Sequence, residues 1–232
     1  MNIPIPFCDE TKRVVMHRIP LHPDEIEAYR EMLRFGERHF PGVKNAELII
    51  RTDAGGRFEG KTWEEHRQQG TALLGTGGGP FDEHAFEDQE RTPGECCATK
   101  MASYLNIRDR PYLQKVLSYI LGNDTKAEHD SPLDFAEEVR CDFEYPMMSP
   151  HAVVWMRMCI LDSYQRGQER YWEAKDELER ANITRIRVGE AEYAIVTALT
   201  DNKEFARFAR THAGTKKTVI IIRNPETGET FI

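Results

Sequence analysis

The chain begins with a short β-branched apolar run, Arg13-Val14-Val15-Met16-His17, and then changes period: Ile26, Tyr29, Met32 and Leu33 recur at three- and four-residue intervals. A strand entering a helix is the prediction. Pro23 suits a first helical position with His22 before it, while Asp24, Glu25 and Glu27 favour the positive end of the helix dipole, and Pro41-Gly42 is read as its end. Ala46 to Arg51 reads as a second strand, and strand-helix-strand order implies parallel pairing. Thr71 to Gly75 forms a third short apolar run that leads straight into Thr76-Gly77-Gly78-Gly79-Pro80-Phe81-Asp82-Glu83-His84. Loops at the carboxyl ends of parallel strands build binding crevices.

Two helical patterns follow, about Cys96 to Leu105, with Cys97, Met101 and Leu105 on one stripe, and Pro111 to Leu121, with Leu113, Val116, Leu117 and Ile120. Gly122 is expected to stop the second, leaving Asn123 and Asp124 just beyond it. Ser131 to Pro150 reads as a Pro-, Met- and Asp-rich bend, and His151 to Asn182 as a long helical region. From Thr184 the pattern changes. Ile186 and Val188 alternate, Ala194 to Ala198 reads as a strand, Glu204 to His212 as a helix and Lys217 to Arg223 as a strand. The turn Asn224 to Glu229 then makes Thr230-Phe231-Ile232 a hairpin return. The expected fold class is α/β: a parallel β-sheet flanked by helices over residues 1–150, then a helical connection and a smaller α/β second domain over 151–232.

Composition narrows the class. A 232-residue chain that is 40% hydrophobic and 30% charged reads as globular, and no apolar run approaches the roughly 20 residues that cross a bilayer. The N-terminus lacks the basic start and apolar stretch of a secretory signal, and five unevenly spaced cysteines read as reduced thiols rather than a disulfide framework. A cytoplasmic protein, away from membranes, is the expectation. The net charge of -8 argues against gripping nucleic acid through an overall basic field, though it leaves room for a local basic groove.

Three groups of residues carry chemistry. His17 ends the first strand, with His22, Asp24 and Glu25 at the start of the first helix; carboxylates hold hard divalent ions, and imidazole suits Mn²⁺ or Fe²⁺. The glycine-rich loop presents Asp82, Glu83 and His84 and matches neither common nucleotide-binding glycine motif. Asn123-Asp124 is the third. Glu128-His129-Asp130 reads as loop, Cys96-Cys97 as core packing, Trp63-Glu64-Glu65-His66 as amphipathic surface and Trp155-Met156-Arg157-Met158 as core helix.

The order of these pieces resembles the DHH phosphoesterase superfamily, and within it the melanocyte-proliferating-gene type of metal-dependent nuclease. Met16-His17-Arg18-Ile19-Pro20-Leu21-His22-Pro23-Asp24-Glu25 keeps the two histidines and the Asp-Glu pair of T-H-x-G-x-F-H-x-D-E at the same separations. Ala46-Glu47-Leu48-Ile49-Ile50-Arg51-Thr52 resembles A-E-I-V-R-T, and Thr76-Gly77-Gly78-Gly79 followed by Phe81-Asp82-Glu83-His84 resembles D-V-G-G followed by D-H-H. Asn123-Asp124 resembles a later Asp-Asn motif. The chain departs from the pattern where chemistry is concerned: Thr76 stands where the family has a metal-bridging Asp, Glu83 replaces the middle His, and Ile19 replaces a glycine. The resemblance implies metal ligation by His17, Asp24, Asp82, His84 and Asp124, with Glu83 and His22 as additional ligands or proton-transfer groups. It further implies Mn²⁺ or Mg²⁺ as cofactor and hydrolysis of a phosphorylated small molecule or short nucleic acid. Arg185, Arg187, Lys216 and Lys217 of the second domain are available to meet phosphate. A non-catalytic binding or regulatory protein on the same scaffold, and a hydrolase using Cys97 or Cys141 as nucleophile, are the rival readings. The oligomeric state, monomer or homodimer, stays open.

Overall fold

The structure is a computed structural model describing residues 7–53, 56–84, 93–126, 134–215 and 217–232. It falls into two compact units, Met1–Leu161 and Asp162–Ile232. The division lies inside a long helix rather than at residue 150, the boundary expected from the sequence.

The first unit is built on a three-stranded, wholly parallel sheet of β1 (Arg13–Arg18), β2 (Glu47–Arg51) and β3 (Thr71–Leu74), in the order β2-β1-β3. Val14 aligns with Leu48 on one side and Ala72 on the other. The central strand explains the continuous apolar run: Val14, Val15 and Met16 are all fully buried, as expected of a strand covered on both faces. β2, at the edge, is half-buried.

Helix α1 (Pro23–Phe35) begins as expected, with Pro23 in its first turn. It stops earlier, at the Gly36 cap, whose N–H bonds Met32 O at 2.9 Å. Pro41-Gly42 instead makes the following turn, with Gly42 at φ 80°. α2 (Trp63–Gln68) is capped by Thr62 and Glu65, each side chain bonding the other's backbone N–H. Within it His66 is buried rather than on the surface, and its Nε2 lies 2.8 Å from Phe58 O.

α3 (Cys97–Tyr104) packs on α1, and Cys96 and Cys97 are fully buried, in keeping with a packing role. α4 spans Gln114–Lys126, so it runs through Gly122 instead of stopping there, and Asp124 lies in the helix. An internal glycine costs only about 1 kcal/mol relative to alanine, and α4 buries Val116, Leu117 and Ile120, each contributing roughly 1.5–3 kcal/mol. The bend expected over Ser131 to Pro150 contains a further helix, α5 (Phe135–Glu144). Asp134 Oδ1 caps it by accepting from Glu137 N–H at 2.8 Å, and Ala136, Val139 and Phe143 form its buried stripe. α6 follows as Pro150–Arg180.

In the second unit β4 (Asn182–Val188), β5 (Ala191–Leu199), β6 (Thr218–Arg223) and β7 (Thr230–Phe231) form a mixed sheet in sequence order. β5 and β6 are parallel and the outer pairs antiparallel. α7 (Phe205–His212) buries Phe205, Phe208 and Ala209 against Ala194, Val196 and Ile220. The molecule is therefore α/β, a three-stranded parallel sheet with helices followed by a smaller unit with a four-stranded mixed sheet. Among the described residues no helix is long and apolar enough to cross a membrane.

Candidate functional site

The carboxyl edge of the parallel sheet gathers the acidic and histidine residues. His17 sits at the end of β1, Asp24 and Glu25 in the first turn of α1, and Asp82, Glu83 and His84 in the loop leaving β3. α4 delivers Asp124 to the same place: ligand atoms of His22, Asp24 and Asp124 lie within 4.8 Å of one another. The His17 ring stacks on that of His84 at 5.6 Å and lies 5.9 Å from that of His22. All seven residues expected from the sequence thus converge, His22 exposed at the rim, His17, His84 and Asp124 half-buried, and the other three buried.

Local backbone chemistry fixes the set. Glu25 Oε2 accepts from His22 N–H at 2.8 Å, the acidic half of a capping box. Asp24 Oδ2 accepts from Cys97 N–H at 3.0 Å, at the positive end of α3. The loop after β3 is closed by Gly75 N–H to Phe81 O at 3.0 Å, and Phe81 is anchored among Phe7, Phe40 and Tyr104. Gly75 adopts φ 61°, and a Cβ there would stand 2.6 Å from Glu25 Oε1. Only glycine allows both that conformation and that approach.

Asp82 and His84 act on each other. Asp82 Oδ2 accepts from Gly78 N–H at 2.8 Å, and Oδ1 from His84 N–H at 3.1 Å, with His84 Nδ1 3.0 Å away. Burial alone would push the Asp82 pKa up, but the bonds from the His84 ring and the Gly78 and His84 amides outweigh it, leaving the carboxyl below its usual range. The same side-chain hydrogen bond, with Glu83 and Asp24 nearby, pushes the His84 imidazole up against its own burial.

Three further carboxylates are crowded and buried. Asp24 Oδ1, Glu25 Oε1 and both oxygens of Glu83 have no hydrogen-bond partner among the described residues, though Glu83 Oε1 stands 3.3 Å from His84 Nδ1. Burial, then repulsion from Asp124, raises Asp24, with His22, the Cys97 amide and His84 pulling back. Burial, then Asp24 and Glu83, hold Glu25 well above its ordinary value. Burial and Asp24 push Glu83 up to about 8. Fully buried polar atoms without partners cost roughly 1–3 kcal/mol each, and clustered like charges add to that. Such an arrangement persists where something compensates it, and oxygens beside imidazole nitrogens are the donor set of a divalent transition ion.

Thr76 is buried beside this edge. Its Oγ1 accepts from Arg51 Nη1 at 2.5 Å, and Arg51 also holds Asp53 through two bonds of 2.7 and 2.6 Å and bonds Gly56 O. A guanidinium therefore stands where the resemblance places a carboxylate. Glu25 and Arg51 are the residues of this edge that the sequence underplays. Glu25 is legible as the fourth member of the first cluster, whereas nothing local in Arg51-Thr52-Asp53 signals that Arg51 reaches the loop after β3.

The cations expected to meet phosphate belong to the second unit. Arg185 pairs with Ala194 on the helix-covered side of the second sheet and reaches Gly214, while Lys217 lies over the Tyr193 ring at 5.1 Å. Lys216 and Glu128-His129-Asp130 lie outside the described residues. The Cys97 thiol is buried and pushed well up by that burial and by Asp24, Glu83 and Glu25, the opposite of an activated nucleophile. Comparison with family models, curated proteins and solved structures finds no match.

Proposed function

We propose that the chain is a metal-dependent phosphoester hydrolase of the DHH kind, with its site at the carboxyl edge of the first sheet. The observation that carries the reading is the buried cluster Asp24, Glu25 and Glu83, which holds oxygens without hydrogen-bond partners among the described residues, beside three histidines and Asp124. His17, Asp24, His84 and Asp124 would hold the ion, Mn²⁺ or Mg²⁺, and Asp82 would serve it chiefly by fixing the His84 ring. With its proton on Nδ1 toward Asp82, His84 keeps the Nε2 lone pair for a cation. A divalent ion held there lowers the pKa of bound water toward neutrality and neutralises phosphate oxygens.

The chain's own residues supply the rest. Glu83, pushed up to about 8 in the metal-free fold, would be the group that gives a proton to a departing alkoxide. His22, exposed at the rim, can take a proton from solvent-side groups. Arg51, anchored on Asp53 and Thr76, places positive charge where a second ion would need a carboxylate, which favours a single-ion site. The substrate is a phosphorylated small molecule or short nucleic acid, and the place of action is the cytoplasm.

Titration calorimetry with Mn²⁺, paired with hydrolysis of bis-p-nitrophenyl phosphate, tests the reading. One ion bound per chain at micromolar affinity, with turnover lost in chelator, is expected. Absence of binding sinks it. Arg51 at Thr76 also favours the second reading, a protein that binds a metal and a phosphorylated ligand without hydrolysis; ion binding with no turnover of any phosphodiester would select it.

A further inference from the structure

The segment from Tyr145 to Leu161 is inverted relative to an ordinary surface helix. The chain is 30% charged, yet these residues hold one formal charge, Arg157. That charge points inward: Arg157 is buried, its Nη1 2.5 Å from Glu138 Oε2 and its Nε 2.7 Å from Asp142 Oδ2, both on α5. Val153, Val154, Met158 and Leu161 share the buried side of α6. The outward side is apolar too, apart from His151 at its start, whose Nε2 lies 3.0 Å from Leu48 O. Ala152, Trp155, Met156, Cys159 and Ile160 recur at three- and four-residue spacing there, and all but the half-buried Met156 are exposed, Trp155 at 66%. Met147, at 94%, Tyr145, at 74%, and Met148 extend the surface ahead of the helix.

A helix apolar all round is one that is covered. Two aromatic side chains of ~150–250 Å² each, with the methionines and Ile160, bring the exposed apolar surface to roughly 700–800 Å², close to the ~800 Å² per partner of a standard stable interface. Monomers rarely leave so large a patch open. An uncharged face offers no polarity with which to select an unlike partner, and a two-fold pairing needs only the same apolar surface twice.

We infer that the outward face of the first half of α6, with Met147 and Met148, is the interface of a homodimer in which two such helices pack across a two-fold axis. Trp155 is its central anchor, since buried indoles dominate interface energetics.

Sedimentation velocity of the full chain from low to high micromolar concentration tests this. A dimer is expected, and Trp155→Glu should raise its dissociation constant about 100-fold or more while leaving far-ultraviolet circular dichroism unchanged. If Trp155→Glu disturbs folding, Met147→Glu, at a side chain that is almost fully exposed, decides by the same shift toward monomer. A wild-type chain that stays monomeric throughout overturns the proposal, as does a dimer indifferent to charge at both positions.

Discussion

Glu83 and Glu25 show what the site costs the fold. Both are fully buried, both lack hydrogen-bond partners for at least one oxygen among the described residues, and burial with the neighbouring acids raises the proton affinity of each. Replacing either by glutamine removes a carboxylate that the metal-free fold must neutralise. Glu83→Gln and Glu25→Gln are therefore expected to stabilise the metal-free protein by about 0.5–2 kcal/mol, the usual gain when a functional strain is relieved. Glu83→Gln should also abolish Mn²⁺-dependent turnover; thermal melts of both variants in chelator at neutral pH read the stabilisation, and a fall in melting temperature would contradict it. Gly75 works in the opposite direction. Alanine there combines a left-handed backbone with a Cβ 2.6 Å from Glu25 Oε1, so Gly75→Ala should cost about 1–3 kcal/mol and weaken ion binding. Unchanged calorimetric affinity would mean that the loop does not set the position of Glu25.

At the scale of elements, the sequence was most legible where period and position agreed. The β1-α1-β2 unit follows from the change of period at His17 and from Pro23 before Asp24 and Glu25, and its parallel pairing is found. Convergence of His17, Asp24, Asp82 and His84 also followed, because the end of β1, the start of α1 and the loop after β3 share one sheet edge. Two elements hid. α4 continues through Gly122 because long-range burial of Val116, Leu117 and Ile120 outweighs a local glycine penalty, and this carries Asp124 into the site on a helix rather than a turn. α5 hid behind the prolines and methionines that follow it, although Asp134 and the stripe Ala136, Val139 and Phe143 spell a capped helix. Arg51 was invisible for another reason: its partner Thr76 is distant in sequence, and only the folded sheet brings them together. Glycine in helices allows a direct check. Gly167 lies inside α6 and a Cβ there would meet nothing within 4 Å, so Gly167→Ala should stabilise by about 0.5–1 kcal/mol, read as a higher denaturant midpoint at unchanged slope.

For the whole molecule, the crowd of raised acids sets the pH dependence. Asp24, Glu25, Glu83 and, in the middle of α1, Glu31 all bind protons more tightly folded than unfolded. Glu31 is driven by burial and by Glu27, and both its oxygens lack hydrogen-bond partners among the described residues. Below about pH 4 such groups are neutral in both states and cost nothing. As pH rises through their ordinary values the unfolded chain ionises first, so stability falls, and the loss continues until the folded groups ionise, near 8 for Glu83. Asp82, held below its usual value, contributes the opposite slope, a stability lost only as pH falls through about 4. The metal-free protein should therefore be most stable in mildly acidic solution and weaken steadily toward pH 8. A bound Mn²⁺ needs the carboxylates ionised, so it should displace roughly one proton at neutral pH and reverse the slope, raising the melting temperature most where the metal-free protein is weakest. Calorimetric titrations in buffers of different ionisation enthalpy count the protons, and melts across the same pH range with chelator or Mn²⁺ give the two slopes. Parallel curves with and without the ion, or binding without proton release, would show that the acids at the sheet edge are not the ones that receive it.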